Sequence, residues 1–174
     1  MMKFSVFIPF FLLVMMSSCE SSRAIDFKKS LSQSERRLFQ IILGKDSWGE
    51  KKMQYVIDNN YQDALAAVDQ QTKEFDNLIN DLKKLPTNDI PESEPLKTAT
   101  IEYYEALKAL HTFDRKEIAQ RELLVTLKEN ERKKASDELI ALAKQKKQLY
   151  NTVYQKEAIL QTATDKFDAY NGFD

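Results

Sequence analysis

From Ser47 onward the hydrophobic positions fall on three long faces separated by polar breaks. Met53, Ile57, Tyr61, Leu65, Val68, Thr72, Phe75, Ile79 and Leu82 follow one another in steps of three and four, the period of one side of an α-helix. Ser47 and Glu50 stand at the S-x-x-E spacing of a capping box, in which a hydroxyl and a carboxylate satisfy free backbone N–H groups. Lys83 and Lys84 suit the negative end of the helix dipole, and Pro86 cannot continue the helix. The predicted helix is roughly 39 residues, or about 58 Å at 1.5 Å per residue.

The segment "PTNDIPESEP" carries three of the four prolines and is the clearest loop. Ser93 or Glu94 is placed to cap the next helix, with Pro95 in its first turn. That helix shows Leu96, Tyr103, Leu107, Leu110, Ile118, Leu124 and Leu127 on one side. Apolar residues then vanish from Lys128 to Lys134. A turn is expected near Asn130, because Asn tolerates the left-handed conformation. Asp114 and Glu117, again at capping spacing, mark a rival break. A third helix from about Arg132 carries Ala135, Leu139, Leu142, Leu149, Val153, Leu160, Ala163, Phe167 and Tyr170, and stops at Asn171-Gly172. The predicted fold is all-α: an elongated antiparallel three-helix bundle over residues 47–174 with coiled-coil-like packing. Residues 19–46 read as a polar tether, in which Leu38–Leu43 can form a short extra helix.

The chain opens differently. Lys3 precedes "FSVFIPFFLLVMM", an apolar run of thirteen residues from Phe4 to Met16. That length suits the core of an export signal and falls short of the ~20 residues that a membrane-spanning helix needs. Ser17, Ser18 and Cys19 follow. This order resembles the bacterial lipoprotein signal, the lipobox, in which an aliphatic residue and two small residues precede cysteine; Met16 stands where leucine is usual. The resemblance covers residues 1–19. It implies a diacylglyceryl thioether on Cys19, cleavage of residues 1–18, and acylation of the new amino terminus. Two or three acyl chains make a stable anchor, at about 0.8 kcal/mol per buried methylene. The expected location is a bacterial cell envelope, the outer membrane before the inner one in a cell that has both.

Composition supports this picture. The 174 residues suit a single domain. Three glycines are too few for the turns of an all-β fold. The net charge of -1 gives no electrostatic reason to expect nucleic acid. Between Glu20 and Lys45 six basic residues outnumber three acids, an excess suited either to a solvated linker or to an anionic lipid surface.

Candidate chemistry is sparse. His111 is the only histidine, and Cys19 the only cysteine. Zinc and haem sites need more such ligands than that. Glycine-rich phosphate loops and Gly-x-Ser-x-Gly turns are missing from the sequence. Neither a metal, a cofactor nor a catalytic residue is therefore expected, and His111 reads as a helix-edge residue. The acid pairs Asp76/Asp81, Glu102/Glu105 and Glu129/Glu131 lie among lysines, as on a solvated helix face. The tyrosines of the second and third helices exceed what a small core needs. Core or edge packing is their default reading; if they form a strip that binds a protein partner, Tyr104 and Tyr154 are the candidates, since tyrosine joins an apolar body to a polar tip. The expected function is a membrane-anchored, non-enzymatic interaction or structural module; the alternative is a binder of a small or apolar ligand between helices.

Overall fold

The computed structural model describes residues 17–173, with side chains from residue 22; the apolar run Phe4–Met16, read from the sequence as an export signal, lies outside the described residues. The fold is all-α. Six helices follow in order: α1 (Ser17–Leu43), α2 (Trp48–Ile57), α3 (Tyr61–Lys83), α4 (Ser93–Thr112), α5 (Asp114–Thr126) and α6 (Glu129–Asn171). There is no strand among the described residues.

The segment that reads as a tether is instead the 27-residue helix α1. Ala24, Phe27, Leu38 and Ile41 are buried on it, and Leu31 and Ser34 complete the stripe. Their steps are three and four, a helical seam, but alanine and serine at two of the positions dilute the apolar signal. Ser34 is held inside by hydrogen bonds: its Oγ lies 3.2 Å from the Tyr104 hydroxyl on α4 and donates to Leu31 O at 2.7 Å.

The first predicted helix is two helices. Asp58-Asn59-Asn60 interrupts it, with Asn59 at φ +56° and the Asn60 side chain accepting from the Asp63 N–H to start α3. The chain reverses there, so α2 folds back along α3. The apolar spacing runs on through the break, yet Met53 and Ile57 emerge 62% and 69% exposed. The expected cap at the start of α2 is present: Ser47 Oγ accepts from Glu50 N at 3.1 Å. Gly49 is obligatory, because a Cβ there would lie 2.5 Å from Ile42 O and 2.8 Å from Gln71 Nε2.

Both candidate breaks in the second predicted helix are used. Phe113 separates α4 from α5. The second turn falls at Leu127, whose ψ of 149° is extended, and at Lys128; Asn130 already lies in the first turn of α6. The stop at Gly172 is as expected, in the left-handed conformation at φ +71°.

Ion pairs fix the directions. Arg23 meets Asp89, and Lys28 meets Asp168 at 2.6 Å, so the start of α1, the α3–α4 loop and the end of α6 share one end, here called the base. Lys52 meets Asp114, and Asp114 in turn meets Lys146, which places α2, the α4–α5 junction and the middle of α6 farther along. Phe27 and Phe167 seal the base at 5.4 Å between centroids, with Phe173 stacked beyond. The central core comprises Phe75, Leu78, Ile79 and Leu82 of α3 against Leu107 and Leu110 of α4 and Val153 of α6.

Candidate functional site

The residues singled out from the sequence do not converge. Cys19 is in the first turn of α1, five residues before the fully buried Ala24. Tyr154 is 65% exposed on α6. Tyr104 is a correction: it is 3% exposed, its ring is part of the central core, and burial pushes its hydroxyl up to about 12. Tyr103 lies half-buried beside it, with centroids 6.0 Å apart. A surface strip through Tyr104 and Tyr154 therefore does not exist, because α4 turns Tyr104 toward α1.

Two of the three acid pairs belong to cross-helix ion pairs, whereas Glu129 meets Arg132 within α6. Asp76 takes Lys108, Asp81 takes Arg37, Glu102 takes Lys156 and Glu105 takes Lys83. Three of the basic residues near the amino terminus are engaged likewise: Arg23, Lys28 and Arg37 all reach aspartates on other elements. The positive excess there is largely balanced by the rest of the fold. Exposed pairs of this kind contribute about 0.2–1 kcal/mol each.

The one network among the described residues with a buried charge at its centre was not visible in the sequence. Gln71 is 1% and Lys52 5% exposed. Gln71 Nε2 donates to Ile41 O at 3.1 Å, and Gln71 Oε1 accepts from Lys52 Nζ at 3.1 Å. Lys52 Nζ continues to Asp114 Oδ2 at 2.5 Å; Lys146 Nζ binds Asp114 Oδ1 and Glu117 Oε2, both at 2.6 Å. The chain of hydrogen bonds thus joins α1, α3, α2, α5 and α6. Two ammonium groups face two carboxylates, so the set is neutral, and no buried side-chain N or O among the described residues lacks a partner.

Its electrostatics follow from that pairing. Burial pushes the Asp114 carboxyl up, but Lys52 and Lys146 outweigh it and hold the carboxyl below its ordinary value. Burial likewise works against the Lys146 ammonium, and Asp114 and Glu117 more than compensate. His111 stacks on Phe75 with centroids 5.8 Å apart. Burial, then the nearby Lys52 charge, draws its imidazole down to about 4. It is a packed neutral ring, half-buried at the edge of α4.

This histidine carries a pH dependence. Its folded value lies below the ordinary 6.5, so between pH 6.5 and about 4 the unfolded chain takes up a proton that the folded chain refuses. Stability should fall as pH drops through that window, by at most about 3 kcal/mol. In His111→Phe this part of the slope should vanish from urea midpoints measured between pH 7 and 4.

Two concavities bear on the chemistry, the first beside these groups and the second beside Tyr103 and Tyr104. A cleft of about 240 Å³ has Met53, Val56, Ile57 and Ile118 on its apolar side and the Lys52–Asp114–Lys146 set on the other. A longer groove of about 380 Å³ runs between α1 and α6 over α4, floored by Leu31, Leu38, Leu96 and Leu160 and bordered by Tyr103 and Glu157. No group of three or more His, Cys, Asp or Glu among the described residues is arranged to hold a metal ion. No helix among them is long and apolar enough to cross a membrane. Compared with protein-family models, with curated proteins and with solved structures, the chain matches none.

Proposed function

We propose that this is a lipid-anchored protein of the bacterial cell envelope that works without chemistry of its own, as an interaction or structural module. The observation that carries the reading is the junction at Cys19. The cysteine follows an apolar run and two serines, and the same helix enters the core at Ala24. A thioether there would join acyl chains to the bundle with almost no slack. The pairing of the polar groups supports the non-enzymatic half: Lys52, Asp114, Lys146 and Glu117 already satisfy one another, as a structural interlock does. Within this reading α3, α4 and α6 form the elongated up-down-up core with coiled-coil-like packing, and α1, α2 and α5 brace it. Tyr154 remains a contact candidate for a protein partner.

The test is Cys19→Ala in cells fed labelled palmitate. Label and membrane association should both be lost. Their persistence would refute the anchor, and a hydrolase or transferase activity abolished by changing one acid would refute the non-enzymatic role. The α1–α6 groove favours a second reading, a small apolar ligand held between helices. Native mass spectrometry of protein extracted from membranes should then find a co-purifying molecule, lost on Leu160→Trp.

A further inference from the structure

A lipid anchor holds the protein at a membrane but leaves open how the bundle stands there. Resting on the lipid-anchor reading, we infer that the bundle stands end-on, with its base against the lipid headgroups and its opposite end directed away from the membrane. The first reason is length. Five steps along the chain lead from Cys19 to Ala24, which is 0% exposed. They span about 7.5 Å as helix and no more than about 18 Å fully extended. The base cannot lie farther than that from an acylated Cys19.

The second reason is that the base cannot swing. Arg23 is tied to Asp89 of the α3–α4 loop. Lys28 is tied to Asp168 and lies over the Phe173 ring at 4.4 Å. Asn171 Nδ2 donates to Pro91 O at 3.0 Å. The anchor-bearing helix is thereby fixed to both other parts of the base.

The third reason is the distribution of exposed apolar groups. At the base Ile25 is 50% and Tyr170 69% exposed, and tyrosine suits the headgroup level, where one end of a ring is apolar and the other wet. Along the flank of α6 the exposed Tyr150 and Tyr154 share one side, but Tyr170 lies about 160° round the helix from both, so the exposed groups of the base and of the flank do not form one continuous face to lay on a bilayer. Because Arg23 and Lys28 are paired within the fold, contact at the base does not depend on anionic lipid. The 43 residues of α6 extend about 64 Å. Ile140, Met53 and Ile57 are thus presented deep in the envelope space rather than at the lipid surface.

Single cysteines replacing Tyr170, Tyr154 and Ile140 test this in the full lipidated chain, since acylation blocks Cys19. Each is labelled with an environment-sensitive fluorophore. The protein is reconstituted in phosphatidylethanolamine–phosphatidylglycerol vesicles that contain a lipid with a nitroxide headgroup. Quenching should decrease in the order 170, 154, 140, by about tenfold between the outer two sites, which lie about 45 Å apart along the helix. Equal quenching at all three would mean that the bundle lies flat, and the reverse order that it stands inverted; either overturns the inference. A flexible Gly-Ser insert after Ser22 should flatten the gradient while the bound fraction stays unchanged. Vesicle binding retained by Cys19→Ala would instead overturn the lipid anchor itself, a separate result from the gradient.

Discussion

Phe75→Ala should destabilise the bundle by about 3–5 kcal/mol, the cost of removing a large aromatic side chain from a closed core. Phe75 is 0% exposed and belongs to the cluster that joins α3 to α1, α4 and α6. It also supports the His111 ring by stacking. Truncation loses the transfer energy of the ring and leaves a void that four helices border. A domain with about 5–15 kcal/mol in total would lose a large share of it. Urea unfolding followed by circular dichroism, on the chain from Ser21 onward, measures the change. A shift below about 0.5 kcal/mol, the range of surface substitutions, would place Phe75 outside the core.

Asp114→Ala should be comparably severe, at about 3–5 kcal/mol, for a different reason. It strands Lys52, whose side chain is 6% exposed, with only the Gln71 amide as partner. Removing one member of a buried pair leaves an uncompensated charge. Lys52→Met should cost less, because Asp114 keeps Lys146. The double variant Lys52→Met/Asp114→Leu should recover most of the loss, since a buried pair replaced by apolar residues is often neutral or stabilising. A cycle of Lys52→Met, Asp114→Leu and their double variant that showed simple additivity would deny the coupling. The pH dependence has a definite sign. The Asp114 carboxyl is held below its ordinary value of 3.8, so its stabilising effect is present above that pH and is lost as pH falls through the lower folded value. His111 acts earlier, between 6.5 and about 4, so stability should be lost over two successive pH ranges.

The helical class was legible because its causes are local. The three-four spacing of α3, α4 and α6, the Ser47 cap, the proline-rich loop and the Gly172 stop each act within a few residues, and each has the expected effect except at Tyr170, which the spacing places on the inner face of α6 and which is 69% exposed. The same locality explains the misreadings. Along 47–85 the apolar spacing continues through Asp58-Asn59-Asn60, so periodicity alone favours one helix. The left-handed Asn59 becomes decisive only because α2 can fold back onto α3 through the gap left by Gly49. On α3 the inward face is Ala64, Val68, Gln71, Phe75, Leu78 and Leu82. Gln71 keeps the helical spacing there, but a glutamine counts as polar until its partners, Ile41 O and Lys52, are known.

What the sequence determined by itself is the set of near-neighbour properties: helices, caps, breaks, the apolar run before Cys19, and the shortage of catalytic residue types. Tertiary structure alone decided which polar residues face inward. Lysine, glutamine and serine on a helix read as solvated, because in isolation water satisfies them best. Lys52, Gln71 and Ser34 are buried only because Asp114, Ile41 O and the Tyr104 hydroxyl, each on another helix, replace that water. The same rule turned Tyr104 inward and left Tyr154 exposed, although both sit in similar local contexts. Hydrogen-bond partners that arrive from 19 to 70 residues away leave no periodic trace in the chain, so their effect exists only once the helices have packed.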